Sequence, residues 1–137
     1  YCLEPMPWMI PDGPDECLKL IEEVDRECFK VHLDFVNMIN TPHRYFFADE
    51  FMQECFDKLG KYICSCHLKD IRLRPEFTFQ LEEVACGQGS LHIEKYITLA
   101  NQYNLDMPII VEHLNTDGEY RESMVYLKNR LSEKGLW

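Results

Sequence analysis

The stretch VHLDFVN at residues 31–37 is an apolar run that carries a carboxylate, Asp34, near its C-terminal end. It belongs to one of four short apolar runs, each with one metal-ligand-type side chain near its end and a helical pattern after it. The runs span residues 1–6, 29–37, 62–70 and 108–114, and the side chains are Glu4, Asp34, His67 and Glu112. Strands that alternate with helices form parallel sheets with right-handed crossovers. We therefore expect an α/β fold of four consecutive βα units.

Helix signals separate the four runs. Pro14 and Pro42 each follow a residue that suits a helix N-cap, and proline suits the first helical position. Thr116 and Glu119 form a capping-box pair that predicts the start of the last helix. Gly60 is expected to end the second helix, because glycine commonly follows the last helical residue. No linker interrupts the pattern, so residues 1–137 are expected to form a single domain.

The composition excludes several classes of protein. The 137 residues are 46% hydrophobic, which argues against disorder, and no apolar run reaches the roughly 18–20 residues of a membrane span. The formal net charge of −10 repels phosphate backbones, so we expect neither a nucleic-acid partner nor a membrane partner. The seven cysteines form no CxxC pair. We interpret them as reduced, mostly buried thiols of a cytoplasmic protein.

The four strand-end residues together predict a metal site. The C-terminal ends of parallel strands meet at one edge of a sheet, so Glu4, Asp34, His67 and Glu112 are expected to converge. Taken singly, each is more often a solvated terminus or a core histidine. Three carboxylates and one imidazole form an oxygen-rich set that favours Mn²⁺, Mg²⁺ or Co²⁺, with Zn²⁺ also possible.

Four segments carry a family resemblance. They are LEPMPW, VHLDFVN, SCHLKD and IIVEHL, at residues 3–8, 31–37, 65–70 and 109–114. Together they resemble the C-terminal half of the xylose-isomerase-like TIM barrel superfamily, and most closely its sugar phosphate isomerase/epimerase proteins. The resemblance covers essentially the whole chain. It implies half of a (β/α)8 TIM barrel, from the fifth strand to the last helix.

The resemblance also implies a function. It implies that Glu4, Asp34, His67 and Glu112 hold one divalent ion, and that Glu4 and Glu112 act as the acid/base pair of an epimerase. The expected activity is a metal-dependent isomerisation or epimerisation of a sugar or sugar phosphate through an enediolate. Two alternatives stay open: a metal-dependent dehydratase of the inosose type, and a non-catalytic protein that binds metal or sugar.

Two positions depart from patterns within the superfamily. Xylose isomerases carry lysine where this chain has Met6, which argues against their hydride-shift reaction. Ketose 3-epimerases often carry histidine where this chain has Asn37, which puts epimerisation of a free ketose in doubt. The richer set of ligands of endonuclease IV-like proteins is not seen either.

Further residues are predicted around the site. His32, Lys69 and Arg72 are candidates for substrate contact, and His32 and Arg72 have structural alternatives: a core histidine, and an ion pair of Arg72 with Asp70. Residues 71–90 are expected to form a long loop that contains the tight turn Gly87-Gln88-Gly89. The remaining histidines, which are expected to be structural, are His43, His92 and His113; strand alternation predicts that His113 points away from Glu112.

A (β/α)8 barrel typically needs about 250 residues. The chain starts with Tyr1 inside a strand pattern rather than with Met. We therefore expect either a fragment of a longer barrel, completed by an N-terminal half, or a half barrel that pairs with a second copy of itself.

Overall fold

Four parallel strands form the main sheet of the computed structural model, which describes all of residues 1–137. The elements in chain order are β1 (Cys2–Leu3), α1 (Pro14–Val24), β2 (Lys30–Asp34), α2 (Pro42–Phe46), α3 (Ala48–Leu59), β3 (Ile63–Leu68), β4 (Asp70–Leu73), β5 (Leu81–Val84), α4 (Ile93–Tyr103), β6 (Ile109–Val111) and α5 (Asp117–Glu133). The sheet order is β1-β2-β3-β6. The predicted α/β fold with four parallel strands, a partial TIM barrel, is confirmed.

The register of the sheet brings the strand ends level with one another. Asp34 on β2 pairs with His67 on β3, and His67 pairs with Ile110 on β6. Glu4 lies one residue past β1, and Glu112 lies one residue past β6. All four predicted ligands therefore lie at the C-terminal edge of the sheet, as expected for parallel strands.

Two faces of the sheet differ in polarity. On β2, Val31 and Leu33 are fully buried beneath the helices, whereas the alternate residue His32 is only half-buried. A cluster of 25 buried apolar residues fills the layer between the sheet and its helices. Tyr96 on α4 crosses this layer, and its hydroxyl lies 3.2 Å from the carbonyl oxygen of Leu33 and 3.0 Å from that of His67. The core thus ties the ends of β2 and β3 together.

The predicted strands were too long. β1 covers only two residues, because Pro5 and Pro7 lack the N–H groups that a ladder needs. β2 ends at Asp34, where the backbone N–H of Asn37 donates to Asp34 Oδ1 at 3.0 Å and a short 3₁₀ turn, Val36–Met38, follows. The polar residues at the strand ends thus stop the strands themselves.

The prediction of an unstructured loop at residues 71–90 was wrong. β4 and β5 pair as an antiparallel hairpin, with Asp70 opposite Val84 and Arg72 opposite Glu82. Only Lys69 separates β3 from β4. The hairpin extends directly from the C-terminal end of β3 and returns Glu83 towards the edge of the main sheet.

Asp70 anchors this hairpin. Its buried carboxylate accepts backbone hydrogen bonds from Ile71, Gly87 and Gly89 at 2.9 Å each and from Leu91 at 3.1 Å. A Cβ at Gly89 would lie 2.1 Å from Asp70 Oδ1, so this position admits only glycine. The turn 87–89 therefore binds an anion that belongs to the chain itself, and the suggested ion pair between Asp70 and Arg72 does not form.

The helix signals were right at the starts of helices and at the end of α3. The capping box of Thr116 and Glu119 is present, and Thr41 caps α2 by accepting from the N–H of Arg44 at 3.2 Å. α3 ends at Leu59 with Gly60 as its C-cap, as predicted, and Gly60 is right-handed at φ −48° and opens a short 3₁₀ turn. A Cβ at Gly60 would lie 2.2 Å from the Tyr103 ring, so a larger residue would require that ring to move.

The seven cysteines differ in exposure, and Cys64 is intermediate. The four buried thiols are those of Cys17, Cys55, Cys66 and Cys86. Burial raises the pKa of Cys17 to about 12 and those of Cys66 and Cys86 to about 11, which keeps these thiols protonated and unreactive. Cys2 and Cys28 are exposed, and Cys28 lies beyond α1, which ends at Val24 before Asp25 turns left-handed at φ 45°. None of the helices combines the length and apolarity of a membrane span.

Replacement of Asp70 by asparagine tests the anchor. In Asp70→Asn an amide group would face N–H donors in a buried site, so we expect a loss of about 2–4 kcal/mol in the free energy of unfolding. Urea denaturation followed by circular dichroism measures this change. The exposed Asp106 offers the matched variant Asp106→Asn; equal stability of the two variants would contradict the anchoring role.

Candidate metal centre

The four predicted ligands converge at the C-terminal edge of the sheet. One ligand atom from each of Glu4, Asp34, His67 and Glu112 lies within 4.8 Å of the others. Neighbouring parallel strands deliver three of these side chains in the order β1, β2 and β3, and β6 delivers the fourth. The structure thus places together the residues that the sequence placed at equivalent strand ends.

His67 lies at the centre of the cluster. Its Nδ1 is 3.3 Å from Glu4 Oε1, 3.2 Å from Asp34 Oδ2 and 2.8 Å from Glu112 Oε2. One ring nitrogen carries at most one proton, so it cannot donate to three carboxylates at once. Glu112 Oε2 is buried, and the nitrogen atoms near it, His67 Nδ1 at 2.8 Å and Lys69 Nζ at 3.0 Å, are shared with the other carboxylates. A cation placed among the three oxygen atoms could therefore interact with all of them, which a single N–H group cannot do.

Lys69 is the fixed positive charge of the centre. Its ammonium group is buried, with Nζ 2.7 Å from Asp34 Oδ2, 3.0 Å from Glu112 Oε2 and 3.6 Å from Glu83 Oε1. Burial by itself lowers the pKa of Lys69, but the hydrogen bond and charge of Asp34, joined by Glu112 and Glu83, raise it above its ordinary value. The group is therefore charged and holds the carboxylates in place.

Asn37 connects the centre to β1. Its side-chain Nδ2 donates to the carbonyl oxygen of Pro5 at 3.2 Å, and its Oδ1 accepts from Lys69 Nζ at 3.3 Å. Its backbone N–H donates to Asp34, as described above. The residue that departs from the histidine of ketose 3-epimerases is thus a buried hydrogen-bonding link between three strand ends, rather than a group directed at a substrate.

His32 is next to the four ligands. Its ring lies edge-on to that of His67, with 4.0 Å between the ring centroids. Its Nδ1 is hydrogen-bonded to Ser65 Oγ at 2.5 Å, whereas its Nε2 is buried without a hydrogen-bond partner. Burial, followed by the proximity of His67, lowers the pKa of His32 and favours the neutral ring. One of the predicted substrate residues therefore lies at the centre with an unpartnered ring nitrogen.

The other second-tier residues are distributed differently. Lys69 contacts two of the four ligands, but its side chain is only 1% exposed. Arg72 pairs with Glu82 across the hairpin, and it contacts none of the four ligands. Away from the cluster, His92 contacts Asp49 and His43 stacks on Phe47.

The prediction that His113 points away from Glu112 was wrong. Its Nε2 lies 3.3 Å from Glu112 Oε1, and its Nδ1 lies 2.8 Å from Glu83 Oε2. β6 ends at Val111 and His113 is left-handed at φ 60°, so strand alternation does not extend to it. Glu83 was missed because residues 71–90 were interpreted as a loop. Residues 81–84 are Leu-Glu-Glu-Val, which does not alternate, so no strand signal pointed to Glu83.

Comparison with known proteins agrees with the fold and the site geometry. The sequence profile described as "Xylose isomerase-like TIM barrel" matches residues 1–130. The chain belongs to this family. The resemblance predicted from four short segments is therefore confirmed. No match was found among curated proteins.

Two solved structures show the fold of the family. A xylose isomerase domain protein from Planctomyces limnophilus aligns with a TM-score of 0.66 and 24% identity, over 98% of this chain and 44% of that chain. A xylose isomerase-like TIM barrel protein from Mycobacterium smegmatis, in complex with magnesium, aligns with a TM-score of 0.72 and 20% identity, over 96% of this chain and 44% of that chain. The chain therefore spans less than half the length of either structure.

The side chains of the centre suit a hard divalent cation. Four carboxylates, including Glu83, face one ammonium group and one imidazole, which leaves an excess of negative charge when the imidazole is neutral. Glu112 Oε2 has no donor of its own, since it shares His67 Nδ1 and Lys69 Nζ with Asp34. Three carboxylates and one imidazole can hold Mg²⁺, Mn²⁺ or Co²⁺ and leave coordination positions for water or substrate.

Loss of one carboxylate tests the centre as a cation site. We expect Asp34→Asn to weaken Mn²⁺ binding by about 100-fold or more, because it removes a charged oxygen ligand and leaves Lys69 short of a partner. Isothermal titration with MnCl₂ alone measures the affinity. The variant Asp57→Asn, at an exposed position of α3, serves as control; unchanged Mn²⁺ affinity in a folded Asp34→Asn protein would exclude Asp34 as a ligand.

Proposed function

We propose that this protein is a divalent-metal-dependent isomerase or epimerase of a sugar or sugar phosphate, acting through an enediolate. The observation that carries the proposal is the convergence of Glu4, Asp34, His67 and Glu112 at the C-terminal strand ends of a xylose isomerase-like TIM barrel chain. In such folds catalytic groups come from the ends of several strands. The magnesium in the complex of the M. smegmatis protein supports Mg²⁺ as one candidate ion.

In this proposal the four strand-end residues hold the ion. A divalent cation at this position would supply the positive charge that stabilises an enediolate anion formed next to a carbonyl group. Lys69 keeps Asp34 and Glu112 within reach of that position, since its Nζ contacts both carboxylates. We therefore assign Lys69 a positioning role, and we retain a direct substrate contact for its ammonium group only as a prediction.

Glu4 and Glu112 are proposed to transfer the proton. They come from the two edge strands of the sheet and flank the pair formed by Asp34 and His67. The side chain of Glu4 is 32% exposed and that of Glu112 is 25% exposed, so both carboxylates are partly accessible to a substrate. One carboxylate can remove a proton from the carbon next to the carbonyl, and the other can return it at the neighbouring carbon or on the opposite face.

Two further side chains are proposed to contact the substrate. His32 presents its unpartnered Nε2 beside the cluster, where it can accept a hydrogen bond from a sugar hydroxyl group. Arg72 lies on the hairpin, and its guanidinium is 55% exposed although it pairs with Glu82. A phosphate group is the substrate feature that suits an exposed arginine.

We also propose that the half barrel is completed by further chain. β1 and β6 are the two edges of the parallel sheet, and no strand pairs with either outer edge. Unpaired edges are ready to pair with another strand, and both solved structures are more than twice as long as the aligned segment. The candidates are an N-terminal half barrel and a second copy of this chain. The free cysteines support our expectation of a cytoplasmic location.

Proton exchange tests the proposed chemistry. In the full-length protein with Mn²⁺ or Mg²⁺, we expect deuterium from heavy water to enter the carbon next to the carbonyl of a ketose or ketose phosphate. Glu4→Gln and Glu112→Gln should each lower the exchange rate by about 10²–10⁴-fold, since each removes one general acid/base group. Nuclear magnetic resonance of a panel of ketoses measures the exchange.

The matched control for these variants is Glu122→Gln, at an exposed position of α5, which should exchange like the unmodified protein. Release of water with formation of an unsaturated product would show that the protein is a dehydratase rather than an isomerase. A protein that binds the metal but exchanges no substrate proton would be a binding protein, and the proposal would fall.

Solution mass tests the proposed completion of the barrel. Residues 1–137 expressed alone expose both sheet edges, so we expect them to form dimers or larger assemblies. Analytical ultracentrifugation of this segment measures the mass, with circular dichroism to show that it is folded. A folded monomer with well-formed secondary structure would contradict the pairing of the edges.

A further inference from the structure

Beside the four-ligand set, a second and more nitrogen-rich set of side chains shares part of the same centre. One ligand atom from each of Glu4, His32 and His67 lies within 4.8 Å of the others. We propose that these three residues form a second cation position, selective for Zn²⁺, which overlaps the oxygen-rich position. The proposal goes beyond the proposed reaction and does not rest on it, since it concerns metal binding alone.

The hydrogen bonding of His32 matches that of a metal ligand. Histidines that bind metals usually donate the proton of their other ring nitrogen to a neighbouring acceptor, which fixes the tautomer and the ring orientation. Here Nδ1 is bonded to Ser65 Oγ, and if Nδ1 donates, Nε2 carries a free lone pair. Nε2 is also buried with no partner in the protein, so a ligand at this atom would satisfy an otherwise unpaired polar group.

The composition of the set favours zinc over magnesium. Two imidazoles and one carboxylate, with a fourth position open, are a common arrangement for catalytic Zn²⁺. Mg²⁺ prefers oxygen ligands and octahedral geometry, so it would favour the set that contains Asp34 and Glu112. The type of ligand therefore distinguishes the two positions. Zn²⁺ is expected at the position that His32 completes, and Mg²⁺ at the adjacent position that Asp34 and Glu112 complete.

The two positions cannot be filled independently. Glu4 and His67 belong to both sets, and the Nδ1 atom of His67 is already the point on which the carboxylates of the oxygen-rich set converge. An ion that draws Glu4 and His67 towards His32 removes two ligands from the other position. Zn²⁺ and Mg²⁺ should therefore compete, and the apparent dissociation constant for Zn²⁺ should rise as the Mg²⁺ concentration rises.

The experiment uses the full-length protein, stripped of metal, with ZnCl₂ and MnCl₂ as separate probes. We expect His32→Ala to weaken Zn²⁺ binding by about 10-fold or more and to change Mn²⁺ binding by less than about threefold. Asp34→Asn should give the reverse pattern. The control is His92→Ala, which removes an exposed histidine that contacts only Asp49. Circular dichroism verifies that each variant is folded.

X-ray absorption at the zinc edge measures the number of imidazole ligands on Zn²⁺, which would not change if His32 had only a structural role. We expect two imidazole ligands on Zn²⁺ in the unmodified protein and one in His32→Ala. Ser65→Ala keeps the ligand itself and should weaken Zn²⁺ binding alone, because it removes the hydrogen bond that orients His32.

The outcomes separate this inference from the proposed function. A single imidazole on Zn²⁺ in the unmodified protein, or an equal loss of both metals in His32→Ala, would overturn the second position. Mn²⁺ binding without competition from Zn²⁺ would overturn the overlap. Zn²⁺ bound by two imidazoles in a protein that binds neither Mn²⁺ nor Mg²⁺ would support the second position and would remove the basis of the proposed function.

Discussion

Repulsion between carboxylates is the constraint on which the rest of the centre depends. Glu4, Asp34 and Glu112 place oxygen atoms within 3.3 Å of one nitrogen atom of His67, and Glu83 approaches the same centre from the hairpin. Such a group of like charges destabilises the folded chain unless cations compensate for it. The buried ammonium of Lys69 provides part of that compensation, and a bound divalent ion would provide the remainder. The geometry of the centre therefore depends on cations among its carboxylates.

The segment that follows β3 shows how closely stability and site geometry are linked. Within four residues the chain places His67 in the cluster, Lys69 in contact with Asp34 and Glu112, and Asp70 against the turn 87–89. Asp70 accepts four backbone hydrogen bonds, and this holds the hairpin that brings Glu83 to the centre. A residue with no contact to the cluster therefore controls one of its charges. Replacement of Asp70 should therefore lower both the free energy of unfolding and the affinity for metal.

Local signals predicted what depends on local physics. The apolar runs, the prolines at helix starts and the capping box of Thr116 depend on residues within a few positions of each other, and these predictions were confirmed. The convergence of four side chains was also predictable, because parallel strands must present their ends at one edge. The family resemblance supplied the half barrel. The assignment of ligand and acid/base roles stays a prediction that the geometry supports.

The errors share a different origin. His113 reaches Glu112 because β6 ends two residues earlier, and the hairpin of residues 70–84 exists because a distant turn wraps around Asp70. In each case a contact between residues far apart in sequence decides the local conformation. Periodicity cannot register such contacts, since it compares each residue only with its neighbours.

The overlap of two donor sets follows from the same crowding. A centre with fewer acidic groups could hold only one kind of ion, and a centre without His32 would offer no nitrogen-rich alternative. Because Glu4 and His67 belong to both sets, a change in either residue should affect every metal, whereas changes in His32 and Asp34 should affect different metals. Selectivity at this edge of the sheet is therefore a property of the unshared ligands. The shared pair sets only how strongly the site as a whole attracts a cation.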